Sequence, residues 1–168
     1  MPAMPAFRLL RTLVVVPLLA FAVLAAVSTI APATDASAAT RPSASRQQKV
    51  LRASSVALQQ LGDPYRYGAA GPRAFDCSGL MQYSYRKAGI SLPRTASAQS
   101  KRAHRISKRQ LRRGDLMFFS DGGGVYHAAM FLKWSHGRAV MIHAPRPGER
   151  VRRDHPWTNH WFAATMRG

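Results

Sequence analysis

The stretch Phe75-Asp76-Cys77-Ser78-Gly79-Leu80 contains the only cysteine of a 168-residue chain. It follows a loop over residues 62–74 that contains three glycines and a proline-opened turn. Apolar and small residues then recur at spacings of three and four: Leu80, Met81, Ser84, Tyr85 and Ala88. This spacing predicts a helix that starts around residues 76–78 and ends at Gly89. Cys77 is therefore expected at or beside a helix N-terminus.

A thiol in this position has a chemical use. The unpaired backbone N–H groups and the positive end of the helix dipole stabilise a thiolate, so we expect the pKa of Cys77 to be lowered. The neighbouring residues are small and polar, which lets a substrate backbone approach. A buried core thiol would gain nothing from this location.

The rest of the chain predicts an α+β domain. An amphipathic helix is predicted over residues 47–61, ahead of the cysteine. After it come strand-like runs at 115–120, 125–133 and 138–143, with short strands at 150–153 and 161–165. Gly-rich separators between the first three runs predict hairpins, hence an antiparallel meander with the helices on one face.

The first 38 residues resemble a secretory signal. Arg8 and Arg11 precede an apolar run over residues 13–27, and Ala36-Ser37-Ala38 is a small-residue cleavage site. An uncleaved membrane anchor is the alternative. We therefore divide the chain into a signal peptide (1–38), a disordered linker (39–46) rich in small residues, and a folded domain (47–168). A secreted protein is expected.

The chain is strongly basic, with a formal charge of +18. Loss of residues 1–38 removes two positive charges and one negative charge, which leaves +17. Seven of the thirteen residues from Lys101 to Arg113 are Lys or Arg, which predicts a solvated face or loop. Such a charge favours a polyanionic partner. For an exported protein we expect anionic cell-wall polymers, and no motif indicates nucleic acid.

A single cysteine in an exported protein needs a reason, because it cannot form an internal disulfide. It is a buried core thiol, half of an intermolecular disulfide, or a nucleophile. A nucleophilic thiol needs a histidine base. Of the six histidines, His127 and His143 lie in or beside predicted strands among apolar neighbours, so they could line up with Cys77. The spacing is equally compatible with two histidines unrelated to the cysteine. The remaining four are expected at the surface: His104, His136, His155 and His160.

Six motifs in order resemble the NlpC family of bacterial peptidoglycan endopeptidases. They extend from about Gln47 to Ala164 and are Leu61 to Gly68, Phe75 to Leu80, Leu92 to Thr95 with Gln99, Arg113 to Phe119, Tyr126-His127, and Ile142 to Pro145. The resemblance implies a papain-like fold in which Cys77 attacks a stem-peptide amide, His127 is the base and His143 orients it. The family's typical bond joins D-isoglutamate to the following diamino acid.

The resemblance also implies substrate contacts. Tyr65 matches a tyrosine beside the sulfur that helps bind the oxyanion, and Asp76 and Ser78 match positions that contact the free amine of a trimmed stem peptide. It implies no cofactor or metal, and a monomer is expected. Ala128 replaces the family's usual glycine after the base histidine, and its methyl group is expected to narrow the groove.

Two other functions stay open. A non-catalytic, basic wall-binding protein would have no need of Cys77. The same site could also transfer the acyl group to an amine or alcohol, or cleave another amide, because a thioester reacts with several nucleophiles. A metalloenzyme is disfavoured because the chain has no His-Glu-x-x-His motif and its cysteine is far from any histidine in sequence.

Overall fold

A computed structural model describes residues 41–168, with side chains from Ser45 onward. Within these residues three α-helices precede all of the strands: α1 (Arg41–Leu58), α2 (Cys77–Lys87) and α3 (Ala96–Arg102). Helix α1 begins six residues before the predicted start, so residues 41–46 are helical where a linker was predicted. The predicted signal peptide lies outside the described residues. None of the described helices is long and apolar enough to cross a membrane.

The strands form one six-stranded antiparallel sheet. Their bounds are β1 (His104–Ile106), β2 (Leu116–Asp121), β3 (Gly124–Ser135), β4 (Arg138–His143), β5 (Arg152–Asp154) and β6 (Trp161–Thr165), in the spatial order β1-β6-β2-β3-β4-β5. The predicted meander corresponds to β2, β3 and β4. Its hairpin connections keep these strands adjacent, so residues far from Cys77 in sequence share one sheet.

Two hydrophobic cores lie on opposite faces of the sheet. Side chains alternate along β2, so that Phe118 packs in the core that includes α1 and α2, whereas Phe119 packs in the smaller second core. Val50 and Ala53 of α1 and Leu80 of α2 are fully buried in the first core. The α+β class and the packing of helices against an antiparallel sheet are therefore confirmed.

The basic run contains more regular structure than the sequence predicted. It includes the end of α3, the edge strand β1 and a short 3-10 helix at Lys108–Gln110. Thr95 caps α3 by accepting a hydrogen bond from the Ala98 N–H at 3.2 Å. All seven cationic side chains between residues 101 and 113 are nevertheless exposed, as predicted for a solvated face.

Candidate active site

Cys77 is the first residue of α2 and faces an open groove. Cys77 itself is half-buried. The groove has a volume of about 400 Å³ and is lined by the 65–68 loop, the start of α2, the 94–97 segment and the start of β3. Asp76 is the helix N-cap and accepts a hydrogen bond from the Gly79 N–H at 2.7 Å. The thiol is therefore accessible to a substrate, as a nucleophile must be.

The sulfur lies against the residue that follows His127. The backbone N–H of Ala128 favours the ionised form of the thiol and so acts to lower its pKa. Burial has the larger effect, however, and raises the pKa of the Cys77 thiol, with the negative charge of Asp76 adding to the rise. The expectation of a lowered pKa is wrong, because burial outweighs the hydrogen bonds available at the helix N-terminus.

His127 and His143 form a buried pair on the neighbouring strands β3 and β4. His127 Nε2 lies 3.0 Å from His143 Nδ1, and the residues are only 6% and 1% exposed. A hydrogen bond at this distance fixes both rings. Because His127 uses Nε2 for this bond, its Nδ1 is the nitrogen left for another partner.

An exposed indole covers the pair. Trp157 is 53% exposed and stacks on Phe119, with ring centroids 4.3 Å apart. Its ring also lies 5.2 Å from that of His127 and 5.7 Å from that of His143. Burial lowers the pKa of His127 to about 3, with the charge of His143 as the second cause. Burial likewise lowers the pKa of His143 to about 4. Both imidazoles, like the thiol, are therefore neutral near pH 7.

We expect this buried pair to make folding stability depend on pH between about 6.5 and 4. Both histidines titrate near pH 6.5 when unfolded, so in this window the unfolded chain binds protons that the folded chain does not. The free energy of unfolding should fall as the pH falls, by up to about 1.4 kcal/mol per pH unit for each histidine. Urea titrations at pH 7 and pH 5 measure this change.

His143→Gln should reduce that pH dependence to roughly half, because one of the two buried imidazoles is lost. His104→Gln, at an exposed position in β1, is the matched control and should retain it. Equal pH dependence in wild type and His143→Gln would show that His143 is not a buried neutral imidazole.

Asp76 is surrounded by hydrogen-bond donors. Its oxygens accept from the backbone N–H groups of Gly68 and Gly79, from the Ser78 hydroxyl, and from both terminal nitrogens of Arg94. Burial opposes ionisation of Asp76, but the Arg94 and Gly79 hydrogen bonds outweigh it and lower its pKa. Five donors fill the roughly four acceptor positions of a carboxylate. An incoming amine would have to displace one of them.

Ser78 is held on the same wall of the groove. Its hydroxyl accepts from Arg94 at 3.0 Å, and its carbonyl accepts from the buried Gln99 amide at 2.8 Å. The Gln99 amide also donates to the Pro93 carbonyl at 2.9 Å. These bonds connect the start of α2 to the 93–99 segment, so the motif with Leu92 to Thr95 and Gln99 serves to support the nucleophile.

Tyr65 lines the groove beside the thiol. Burial raises its pKa, and the charge of Cys77 is the next cause, so the hydroxyl stays protonated and lies within electrostatic reach of the sulfur. A neutral phenol donates one hydrogen bond. Tyr65 can therefore offer a proton to an oxygen that approaches Cys77.

Ala128 does not narrow the groove. Its side chain is fully buried in the first core, with Phe118 and Met130. The expected narrowing is wrong because this methyl group is enclosed in the core and does not line the groove. The substitution thus leaves the backbone N–H of Ala128 available to the sulfur.

The other four histidines lie outside the site. His104, His136 and His160 are exposed, and His155 is half-buried with Nδ1 2.8 Å from the Ala139 carbonyl oxygen. The sequence reasoning missed Arg94, Trp157 and Asp154, which lies 3.8 Å from His143. Arg94 lay within a quoted motif. The other two contacts depend on packing between distant segments, which no local pattern in the sequence signals.

Comparison with known proteins places this geometry in a family. Residues 62–168 match the model of the NlpC/P60 family. The chain belongs to the NlpC/P60 family. It is 45% identical over 92 residues to a probable endopeptidase p60 of Listeria monocytogenes, over 55% of this chain and 18% of that protein. The match thus spans less than a fifth of that relative.

Two solved structures show the same fold. The NlpC/p60 domain of the peptidoglycan hydrolase SagA has a TM-score of 0.62 and 34% identity, over 70% of this chain and 98% of that chain. RipD of Mycobacterium tuberculosis, described as a non-catalytic NlpC/p60 protein adapted to peptidoglycan binding, has a TM-score of 0.59 and 28% identity over 71% and 98%. The papain-like α+β fold is thereby confirmed. Because the family includes a non-catalytic member, membership alone does not decide activity.

Proposed function

We propose that this NlpC/P60 protein is a cysteine peptidase that hydrolyses amide bonds in peptidoglycan stem peptides. One observation carries the proposal: Cys77 lines an open groove beside the start of β3, and on β3 His127 is hydrogen-bonded to His143 at 3.0 Å. A nucleophile, a base and a group that orients the base are the parts that such chemistry needs.

The raised pKa of the thiol and the lowered pKa of the imidazole indicate a neutral resting pair. In the proposed first stage, His127 Nδ1 takes the thiol proton as the sulfur attacks the amide carbonyl. The C–S bond forms, and the carbonyl electrons move to the oxygen, to which Tyr65 donates a hydrogen bond.

The intermediate then collapses. The C–N bond breaks, the His127 imidazolium gives its proton to the departing amine, and a thioester remains on Cys77. In the second stage, His127 takes a proton from water, whose oxygen attacks the thioester. The acid product leaves and the thiol is protonated again. We propose that His143 holds His127 in place throughout.

The groove walls suggest how the substrate is held. Tyr65 and Ser78 line the groove and are the proposed contacts for the stem peptide. Asp76 was expected to bind the free amine of the stem peptide. In the proposal it does so only if the amine displaces one of the hydrogen-bond donors that Asp76 now has. Its present bonds make it the group that keeps Arg94 and Ser78 in place.

The bond between D-isoglutamate and the diamino acid is the proposed target, as the family resemblance implies. Purified peptidoglycan should be digested with the protein, and the fragments identified by mass spectrometry. We expect new free amines on the diamino acid and no acyl adducts. Fragments joined to an added amine would favour acyl transfer, and cleavage elsewhere would correct the bond. Binding without any fragment would favour the non-catalytic function known for RipD.

The seven exposed cationic residues between 101 and 113 are proposed to bind anionic wall polymers. We propose a secreted, wall-associated monomer that these charges keep close to its substrate. Raised salt in the same digests should weaken attachment to whole walls, because it screens exposed charges. Cleavage of a short soluble stem peptide should be unaffected. Salt-independent attachment to walls would exclude this role.

A further inference from the structure

The outer nitrogen of His143 is the most unusual polar atom near the site. Nε2 is buried and has no hydrogen-bond partner within residues 41–168. Its other nitrogen, Nδ1, contacts His127. A buried polar atom without a partner is costly, so its surroundings need an explanation. The Oδ2 atom of Asp154 lies 3.8 Å from Nε2, too far for a hydrogen bond but close enough for a strong electrostatic effect.

Asp154 is held in this position by its own bonds. It lies on β5, which pairs with β4 so that Met141 is opposite Asp154. Its carboxylate accepts from the His155 N–H at 2.8 Å and from Arg152 Nε at 3.1 Å. Burial opposes its ionisation, but these two donors prevail and lower the pKa of Asp154. A fixed negative charge therefore faces His143.

That charge bears on which nitrogen of each ring carries the proton. A neutral imidazole has one N–H and one acceptor nitrogen. The carboxylate favours the proton of His143 on Nε2, the nitrogen nearest to it. His143 Nδ1 is then an acceptor, so His127 must donate from Nε2, and its Nδ1 carries a free lone pair.

The opposite arrangement fits the same 3.0 Å contact. If His143 carried its proton on Nδ1, it would donate to His127 Nε2, and the proton of His127 would move to Nδ1. That nitrogen could then take no proton from a thiol. The His127–His143 bond alone therefore does not define a base, and something must select between the two arrangements.

We propose that Asp154 is a positioning residue that selects, through His143, the form of His127 in which Nδ1 is unprotonated. Its consequence for catalysis rests on the proposed function, whereas the selection of the tautomer does not. Asp154 is absent from the lining of the groove at Cys77 and lines a neighbouring cavity together with His143, so its proposed action on the base passes through His143.

The other charges around His143 fit this role. Burial lowers the pKa of His143, while Asp154 and Glu149 raise it and Arg152 lowers it. His127, the hydrogen-bond partner of His143, is neutral as well. Because burial prevails, His143 stays uncharged near pH 7. Asp154 therefore directs a proton on a neutral ring and does not form an ion pair with a cation.

The test is nitrogen-15 NMR of the imidazole rings at pH 7 in wild type, Asp154→Asn and Glu149→Gln. The His127 and His143 signals are assigned by their loss in single variants. We expect the proton on Nε2 of both rings in wild type and in Glu149→Gln. Asp154→Asn should populate the Nδ1-protonated form of His127 substantially. An Nδ1-protonated His127 in wild type, or no change in Asp154→Asn, would overturn the proposal whether or not the protein is an enzyme.

Kinetics on a soluble stem peptide give a second readout. Asp154→Asn should lower kcat about 10-fold or more, as loss of the outer partner of a metal-binding histidine does in other proteins, with KM nearly unchanged. Glu149 lines the same cavity as His143 and Asp154, so Glu149→Gln removes an equal charge from the same region and should change kcat by less than about twofold.

A double variant separates this role from general support of the fold. In His143→Asn, the amide oxygen can accept from His127 Nε2 without any choice of tautomer. Asp154→Asn should then cost less than about twofold in this background, compared with about tenfold in wild type. The same cost in both backgrounds would mean that Asp154 does not act through His143.

Discussion

Cys77→Ala is expected to lower peptidoglycan cleavage by a factor of at least about 10³, because the nucleophile is removed and no second thiol exists in the chain. The substitution removes one sulfur from a half-buried position, so the fold should persist. Release of stem-peptide fragments, followed by mass spectrometry, measures the loss. Circular dichroism and the midpoint of urea unfolding verify that the variant is folded.

Ser84→Ala is the matched control for this prediction. It replaces a similar small polar side chain in the same helix, and the Ser84 hydroxyl is buried and without a partner in the described part of the chain. Its activity should stay close to that of wild type. A folded Cys77→Ala variant as active as wild type would refute nucleophilic catalysis by this residue. An inactive wild type that binds walls would instead support the wall-binding function.

Much of the fold followed from local patterns. Apolar spacing predicted α2, and alternation with Gly-rich turns predicted the β2, β3 and β4 meander. Helix α3 was missed because only Ala96 and Gln99 are buried on it, which leaves too little apolar pattern to detect. The start of α1 was predicted too late, because the small and polar residues 41–46 resemble a linker in composition.

The site was predictable only in part. The cysteine, a histidine base and its partner could be named because chemistry restricts the residue types that serve as nucleophile and base. Their protonation states could not be predicted. The pKa of Cys77, for example, depends mainly on how deeply the thiol is buried, and a helix start in the sequence does not show this. Asp154 and Trp157 contact the histidines only through tertiary packing, which no short motif encodes.

The motif around the cysteine also requires a residue without a side chain at position 79, and Gly79 meets this requirement. Asp76 donates its backbone N–H to the Ala69 carbonyl at 2.9 Å, so the loop lies directly against the first turn of α2. A Cβ at position 79 would lie only 2.0 Å from that carbonyl oxygen and 3.0 Å from Asp76 Oδ1. Neither the loop backbone nor the capping carboxylate can move without disturbing the position of Cys77.

Gly79→Ala should therefore lower the free energy of unfolding by about 3 kcal/mol or more. This is the upper end of the usual cost of overpacking, because the added methyl group would clash with backbone atoms. It should also lower activity at least about 10-fold in the fraction that stays folded, since the helix start carrying Cys77 must shift. Urea unfolding and fragment release measure the two effects. Gly122→Ala is the control, because a Cβ there meets no atom within 4 Å. If both variants were as stable and active as wild type, the loop would not pack against α2 as described, and the groove beside Cys77 would need a different boundary.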